Sequence, residues 1–278
     1  MPTVPIAMDG PVLLFGGPYS NLGATEALLR EAERLGIPPR RIVCTGDVAA
    51  YCGQPAETVK AVRGAGIHVV LGNCEESLGN AAEECACGFA EGTACERLAV
   101  EWYAHANRTF GAADRAWMRD LPRRLDIVVG GRRLSVIHGS VSRINRFVFA
   151  STPEAEKRAE IALAGADGVI GGHSGLPFTQ VIGGKLWHNP GAIGLPANDG
   201  TPRVWFSLLV PERDGIRIEH RAMEYEYRRE AAIMRGLDLA GGYADALETG
   251  LWPSCDVLPP AEIARRGTPI SPGSVVWT

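Results

Sequence analysis

Four polar residues, each placed directly after an apolar run, are the groups in this chain best suited to hold a metal ion. They are Asp47, Asn73, His138 and His173, and each is the first strongly coordinating group after its run. Glycine precedes three of them, which lets the backbone turn sharply and approach a ligand closely. Because loops at the carboxyl ends of strands in an α/β sheet meet in one crevice, we expect these side chains to converge. Two imidazoles, a carboxylate and an amide oxygen suit Mn²⁺, Zn²⁺ or iron better than Mg²⁺ or Ca²⁺, which prefer oxygen ligands alone.

The segments around these residues have a recognisable order and spacing. They read Gly46-Asp47, Gly72-Asn73-Cys74-Glu75, His138-Gly139 and Gly172-His173-Ser174-Gly175. Over about residues 11 to 223 the chain resembles the calcineurin-like metallophosphoesterases, especially the small phosphodiesterases and diadenosine-tetraphosphatase-like proteins. The resemblance implies that the four residues are the complete ligand set of one of the family's two metals. It also implies that Asp47 is the carboxylate that ordinarily bridges both ions.

The other half of the family's metal site is missing from this sequence. The family begins with Asp-x-His and ends with Gly-His-x-His, whereas this chain has Gly17, Tyr19 and Gly175 at the corresponding places. A two-ion clamp on a phosphate therefore lacks most of one side. Tyr19 could ligate as a phenolate, or it could close the floor of the crevice or stack on a ligand. Ser20 or Asn21 can cap the next helix, whose free N–H groups we expect to hold a phosphate in place of the lost metal.

Five further residues are candidates for catalysis or substrate binding. Cys74 occupies the place of a histidine that protonates the leaving group in many relatives, although a thiol is a poorer acid near neutrality. Glu75 would serve instead if burial raised its pKa. Arg143 and Arg146 are predicted phosphate partners, since guanidinium meets phosphate with two parallel hydrogen bonds. His188 could orient substrate. The alternative for Cys74 is a small buried residue, and for Glu75 and both arginines it is a solvated charge. The alternative for His188 is a structural histidine.

Cysteines are locally dense beside the predicted site. Cys85-Ala86-Cys87 and Cys95 could add thiolate ligands and turn the site to redox or metal-handling chemistry, although the spacing matches no strong zinc pattern. The alternative is that these cysteines are simply small residues in a compact loop. Seven cysteines, an odd number, fit a reduced cytoplasmic chain better than a disulfide framework.

Short apolar runs and helical spacing predict the elements that must position these residues. Strand and helix alternate in the first third, which predicts parallel pairing, and the later half is rich in strands with hairpin turns, which predicts a second, more antiparallel sheet. We therefore predict an α/β protein with two facing mixed β-sheets flanked by helices, and the resemblance implies the same αββα sandwich. Residues 1–250 are predicted to form this domain. Residues 251–278, with five prolines in the segment 251–272, are predicted to be an arm packed on the domain or on a partner.

Composition narrows the class of protein. With 278 residues and a net charge of −4, the chain can bury one large core and is not basic enough for binding to a nucleic-acid backbone. No run approaches the roughly 18 apolar residues of a membrane span, and the N-terminal residues lack the pattern of a secretory signal. The sequence leaves the oligomeric state open, including a homo-oligomer.

These observations predict a hydrolase of a small-molecule phosphomonoester or phosphodiester that uses one divalent transition metal. The alternative is a catalytically degenerate scaffold of the same fold that binds a ligand or a protein partner without turnover. Some members of the superfamily act in that way, so the resemblance supports both.

Overall fold

The apolar runs of the sequence form the buried strands of two six-stranded sheets. The computed structural model describes residues 4–237, 239 and 242–278. Within these residues the strands are β1 (Ile6–Met8), β2 (Val12–Phe15), β3 (Ile42–Cys44), β4 (His68–Val69), β5 (Arg124–Val129), β6 (Arg132–Ile137), β7 (Gly168–Ile170), β8 (Phe178–Ile182), β9 (Lys185–Asn189), β10 (Val204–Glu212), β11 (Gly215–Met223) and β12 (Val275–Trp277).

Helices flank both sheets. In the described part of the chain they are α1 (Leu22–Arg34), α2 (Pro55–Gly64), α3 (Asn73–Gly79), α4 (Ala94–Thr109), α5 (Ala112–Asp120), α6 (Glu154–Ala164), α7 (Tyr227–Gly236), α8 (Tyr243–Thr249) and α9 (Pro260–Ile263). No described helix is long and apolar enough to cross a membrane. The architecture of two mixed sheets flanked by helices is the predicted fold class.

The first sheet has the strand order β12-β11-β10-β2-β3-β4. Strands β2, β3 and β4 pair in parallel, as the alternation of strand and helix predicts. The β10–β11 hairpin joins this sheet, because Ser207–Leu209 pair with Val12–Leu14. Our assignment of that hairpin to the second sheet is therefore wrong. The first six residues of β10 are all buried, so the strand needs neighbours on both edges and layers on both faces, which a central position provides.

The second sheet has the order β1-β5-β6-β7-β9-β8 and mixes parallel with antiparallel pairs. Its apolar side chains pack against those of the first sheet. Val12, Leu14 and Val43 from one sheet share a core with Ile127 and Leu134 from the other. This central core keeps the carboxyl ends of β3, β4, β6 and β7 in fixed relation.

The C-terminal residues pack on the domain. Trp252 donates its indole N–H to the Pro196 carbonyl oxygen at 2.7 Å. Strand β12 pairs antiparallel with β11, and the fully buried Trp277 donates its indole N–H to Gly184 in the other sheet at 2.9 Å. This last strand, which the sequence did not predict, therefore connects the edges of both sheets.

Candidate metal centre

The four predicted ligands come from both sheets. Asp47 follows β3 and Asn73 begins α3 directly after β4, while His138 follows β6 and His173 follows β7. Glycine is required at one of these loops, because a Cβ on Gly72 would lie 2.3 Å from Asp47 Oδ1 and 2.4 Å from the Asp47 backbone nitrogen. The two loops can therefore meet only if residue 72 has no side chain.

The ligand atoms converge as the sequence predicts. His138 Nε2 lies 3.2 Å from Asp47 Oδ2, 3.1 Å from Asn73 Oδ1 and 3.1 Å from His173 Nδ1. His173 Nδ1 lies 3.9 Å from Asp47 Oδ2. Among the residues that the structure describes, Asp47, His138 and His173 form a group that could hold a metal ion, and all three are buried. Asn73 lies beside this group, with its Oδ1 3.1 Å from His138 Nε2.

Hydrogen bonds behind the cluster orient its lone pairs inward. His138 Nδ1 lies 2.6 Å from the Thr45 carbonyl oxygen, which can only accept, so Nδ1 carries the proton and the Nε2 lone pair faces the other three residues. Asn73 Nδ2 donates to the Cys85 carbonyl oxygen at 3.3 Å, which turns Oδ1 toward His138. A cation among these atoms would pair with the buried Asp47 carboxylate. This donor set fits a divalent transition metal.

The charges in the cluster centre on Asp47. Burial alone would raise the pKa of Asp47, but the neighbouring His138 and His173 lower it well below its ordinary range, so the carboxylate is ionised. Burial opposes protonation of both imidazoles. The pKa of His173 is lowered, whereas the Asp47 charge raises that of His138. His173 Nε2 is buried without a hydrogen-bond partner among the described residues, although the Asn145 carbonyl approaches its ring.

Glu75, a predicted proton donor, instead links two loops of the site. Its Oε2 accepts from the backbone N–H of Asp47 at 2.8 Å and of Gly72 at 3.2 Å, and its Oε1 accepts from Ala49 at 3.1 Å. Burial, followed by the Asp47 charge, raises the pKa of Glu75 to about 7. Both oxygens of the carboxyl group thus accept hydrogen bonds from the backbone. This arrangement does not support the predicted role of Glu75 in catalysis.

Tyr19 fills the missing half of the expected site. A Cβ on Gly17 would lie 2.2 Å from the Tyr19 ring, and a Cβ on Gly175 would lie 3.4 Å from its hydroxyl. The ring therefore takes the space that a side chain at position 17 would need, while a Cβ at position 175 would only touch the hydroxyl. Burial, with a smaller effect of Asp47, raises the pKa of Tyr19 well above its ordinary value, so the phenol is neutral. This placement agrees with an aromatic floor of the crevice.

The predicted phosphate cradle at the start of α1 is already occupied. Asn21 caps the helix by accepting from Ala24 N–H at 3.0 Å, and Ser20 Oγ accepts from Ala50 N–H at 3.1 Å. The buried Glu230 carboxylate takes the Gly23 N–H. A carboxylate of the chain itself therefore stands where the sequence led us to expect a bound phosphate.

The remaining candidates lie apart from the cluster or are bound elsewhere. Arg146 pairs with Glu156 and Glu160, and Arg143 has an exposed side chain. His188 is fully buried between Ser207 Oγ at 2.7 Å and Thr179 Oγ1 at 2.9 Å, which agrees with its structural alternative.

The thiols add no ligand to the cluster among the described residues. Burial, followed by the charges of Asp47 and Glu75, raises the pKa of Cys74 well above its ordinary value. Cys85 and Cys87 are joined in a disulfide. The expectation of a fully reduced chain is therefore wrong for this pair, because the short loop brings the two sulfur atoms together.

Sequence reasoning missed an aromatic pocket beside His173. Tyr51, Phe147, Tyr243 and Trp252 line it together with Tyr19. These residues come from separate segments of the chain, and no spacing in the sequence connects them.

Comparison with known proteins places these observations in a family. The sequence matches the model of the calcineurin-like phosphoesterase superfamily domain over residues 20–209. Probable metallophosphoesterase YsnB of Bacillus subtilis (strain 168) is 30% identical over 99 residues, which are 36% of this chain and 54% of that protein. The match thus spans about half the length of this curated relative.

Two solved structures share the fold. Hypothetical protein PH1004 from Pyrococcus horikoshii OT3 has a TM-score of 0.72 at 16% identity, with 86% of this chain and 98% of that chain covered. A metallophosphoesterase from Sphaerobacter thermophilus has a TM-score of 0.66 at 22% identity, with 87% and 99% covered. The family match extends over more than half of the sequence, and the chain therefore belongs to the calcineurin-like phosphoesterase superfamily.

Proposed function

We propose that this protein hydrolyses a phosphomonoester or phosphodiester of a small molecule with one divalent transition metal, Mn, Zn or Fe. The observation that carries the proposal is the convergence of Asp47, Asn73, His138 and His173 with their lone pairs directed inward. Such an ion would polarise a phosphoryl oxygen and lower the pKa of a bound water.

The chain's own residues set the charge of this site. Asp47 contributes one negative charge, while Asn73 and the two imidazoles bind as neutral groups. A site with a single carboxylate keeps most of the charge of a divalent ion, which favours attraction of an anionic phosphoester. The Thr45 carbonyl holds His138 in one tautomer and prevents its ring from turning away.

Stabilisation of the phosphate must come mainly from this one centre. Tyr19 occupies the place of a second ion, Arg146 is paired with two glutamates, and the N-terminus of α1 is bound to Glu230. The exposed Arg143 is the predicted phosphate partner that remains. We therefore expect turnover to be slower than at a two-metal site. Turnover should be fastest with an ester whose leaving group needs little protonation.

Metal content and turnover test the proposal together. The purified protein is stripped with a chelator, reloaded separately with Mn²⁺, Zn²⁺ or Fe²⁺, and analysed by mass spectrometry of the elements. Each form is then assayed with 4-nitrophenyl phosphate and bis(4-nitrophenyl) phosphate. One ion per chain together with metal-dependent turnover supports the proposal. The absence of a stoichiometric ion overturns it.

A second candidate function is ligand or partner binding without turnover. The specific observation in its favour is that Tyr19, Gly17 and Gly175 remove the second half of the catalytic clamp. One tightly bound ion without turnover on either ester would favour this scaffold. A cytoplasmic location and a homo-oligomer stay predictions in both cases.

A further inference from the structure

A loop at residues 85–88 supports the ligand Asn73 through its backbone. The Cys85 carbonyl oxygen accepts a hydrogen bond from Asn73 Nδ2 at 3.3 Å, which leaves Asn73 Oδ1 for His138. The same amide also approaches Cys74 Sγ at 3.6 Å, but sulfur is a weak acceptor. The orientation of Asn73 therefore depends on where the Cys85 carbonyl points.

The same loop reaches His173 through one intermediate residue. The Ala86 carbonyl oxygen accepts a hydrogen bond from Asn145 Nδ2 at 2.9 Å. Gly88 packs on the backbone of Asn145, because a Cβ at position 88 would lie 3.1 Å from the Asn145 carbonyl oxygen. That carbonyl in turn approaches the His173 ring. The loop thus contacts Asn145 at two points, and Asn145 connects it to a second ligand of the centre.

A disulfide between Cys85 and Cys87 closes this loop. A disulfide constrains the unfolded chain more when it closes a longer loop, and this one joins cysteines with a sequence separation of only 2. We therefore expect it to add little to the stability of the whole fold and to act on the loop itself.

The backbone between the two cysteines shows what opening the bond would change. Ala86 has a φ of +48°, in the left-handed region that an alanine adopts only at a cost. Once the bond is open, Ala86 is free to leave this conformation. The peptide groups on either side of it then turn, and they carry the carbonyls of Cys85 and Ala86 that hold Asn73 and Asn145.

The cysteine pair borders a cleft that a small thiol can enter. Cys85 and Cys87 line a cleft of about 480 Å³, together with the exposed residues Glu83, Glu84 and Val100. A dithiol in this cleft can reduce the disulfide by thiol–disulfide exchange. Two electrons and two protons pass from the dithiol to the cysteine pair, which becomes two thiols, while the reagent becomes a disulfide. A small disulfide reverses the reaction.

We infer that Cys85 and Cys87 form a redox site that controls metal binding. The disulfide holds the carbonyls that orient Asn73 and His173, and reduction by a dithiol releases them. The inference rests on the proposed function for the presence of a metal at the cluster. Reduction is expected to weaken metal binding about tenfold, because the ligands remain but lose the hydrogen-bond partners behind them.

The affinity for manganese in the two redox states tests the inference. Mn²⁺ is the probe because it prefers oxygen ligands to thiolates, so the freed thiols do not capture it. The protein is oxidised with oxidised glutathione or reduced with dithiothreitol, separated from the reagent under nitrogen, and titrated with Mn²⁺ while electron paramagnetic resonance measures the free ion. Alkylation followed by mass spectrometry gives the state of Cys85 and Cys87. If both stay thiols after oxidation, the inference is overturned.

A double variant and a matched control assign the effect to this pair. The protein with both Cys85→Ser and Cys87→Ser cannot form the disulfide, so it should bind Mn²⁺ as weakly as the reduced protein and should not respond to dithiothreitol. Cys255→Ser removes a free, partly exposed cysteine outside the loop and should keep the full response. Equal or tighter Mn²⁺ binding by the reduced protein, or a response that the double variant keeps, overturns the inference.

A measurement without metal separates this inference from the function beneath it. In metal-free protein with isotope-labelled asparagine, reduction should shift the NMR signals of the Asn73 and Asn145 side-chain amides. The amide of Asn80, which donates to the Glu76 carbonyl oxygen, is the control and should not move. Unmoved signals of Asn73 and Asn145 overturn the redox control even if the protein binds a metal and hydrolyses esters. Shifted signals without stoichiometric Mn²⁺ in either state support the redox control of the loop and overturn only the metal site of the proposed function.

Discussion

The two halves of the expected metal centre differ in which side chains occupy them. In one half, the side chains of Asp47, Asn73, His138 and His173 lie together, with His138 Nε2 within 3.2 Å of an atom of each of the other three. In the other half, the Tyr19 ring fills the volume between Gly17 and Gly175. The second half is therefore not simply stripped of ligands. Tyr19 and Gly17 fit each other, because the ring is accommodated only where residue 17 has no side chain.

The largest expected effect comes from removing the one charge in the ligand-bearing half. We expect Asp47→Asn to weaken metal binding on the order of 1,000-fold, about 4 kcal/mol, since a buried cation would lose its only anionic partner. Competition with a chromophoric chelator measures the affinity. The exposed Asp245→Asn serves as the matched control and should bind the ion as before. Unchanged affinity in Asp47→Asn would contradict the assignment of the site.

The fit of the filled half can be measured with a double-mutant cycle. Gly17→Ala is expected to lower the free energy of unfolding by about 3 kcal/mol, because its Cβ meets the Tyr19 ring and its φ of +43° is strained. In a Tyr19→Ala background only the strain should remain, which leaves a coupling of about 2 kcal/mol. Urea unfolding provides the measurement.

Gly36→Ala is the control for backbone strain in that cycle. Its φ is +66° and an added Cβ would have no atom within 4 Å, so the substitution reports the cost of the conformation alone. If Gly17→Ala cost no more than Gly36→Ala, the ring would not be filling the space as described.

A histidine outside the cluster, His220, can be compared with His138 through the pH dependence of stability. His220 lacks a neighbouring carboxylate of the kind that raises the pKa of His138, and burial lowers its pKa to about 4. The folded state thus keeps His220 neutral while the unfolded chain takes up a proton below about pH 6.5. The resulting stability is fully present above that pH and is lost as the pH falls toward 4, by about 3 kcal/mol.

His220→Gln should flatten this part of the pH dependence in metal-free protein. Unfolding midpoints between pH 8 and pH 4 give the slope, and the value at pH 8 corrects for any general loss of stability. A slope equal to that of the unmodified protein would show that other groups cause it.

The smallest expected effect is at the neutral ligand. Asn73→Ala removes one amide oxygen but no charge, so we expect metal affinity to fall only about tenfold, or about 1.4 kcal/mol. Asn80→Ala, which also removes an amide from the end of α3, is the matched control. A loss as large as that of Asp47→Asn would mean that Asn73 does more than supply an oxygen.

Local patterns in the sequence were enough for the fold class and for the positions of most elements. The helix at Ala94–Thr109 follows from its periodicity, and glycine before Asp47, Asn73 and His173 marks loops that must approach a shared point. What the sequence could not supply was pairing between distant segments. The β10–β11 hairpin could join either sheet by its own pattern, and only the open edge of β2 decides which.

Roles that depend on approach from distant segments were also beyond the sequence. The type and position of Glu75 fit a proton donor, and only the loop around Asp47 and Ala49 shows where its oxygens bind. The aromatic pocket includes residues of a C-terminal segment with weak periodicity. The sequence near Tyr51 or Phe147 therefore does not predict it. The grouping of Asp47, His138 and His173 was therefore predictable from residue types and spacing, while the surroundings of that group required the assembled chain.

The contacts of Glu75 have a consequence for how an ion would enter. One carboxyl group fastens the loop of Asp47 to the loop of Asn73, so two ligands from different strands move as a single rigid unit. The binding site is then assembled before any ion arrives, unlike small zinc domains that fold only around their metal. We expect the stripped protein to remain folded, and metal uptake to proceed with little change in heat capacity, because almost no surface is newly buried.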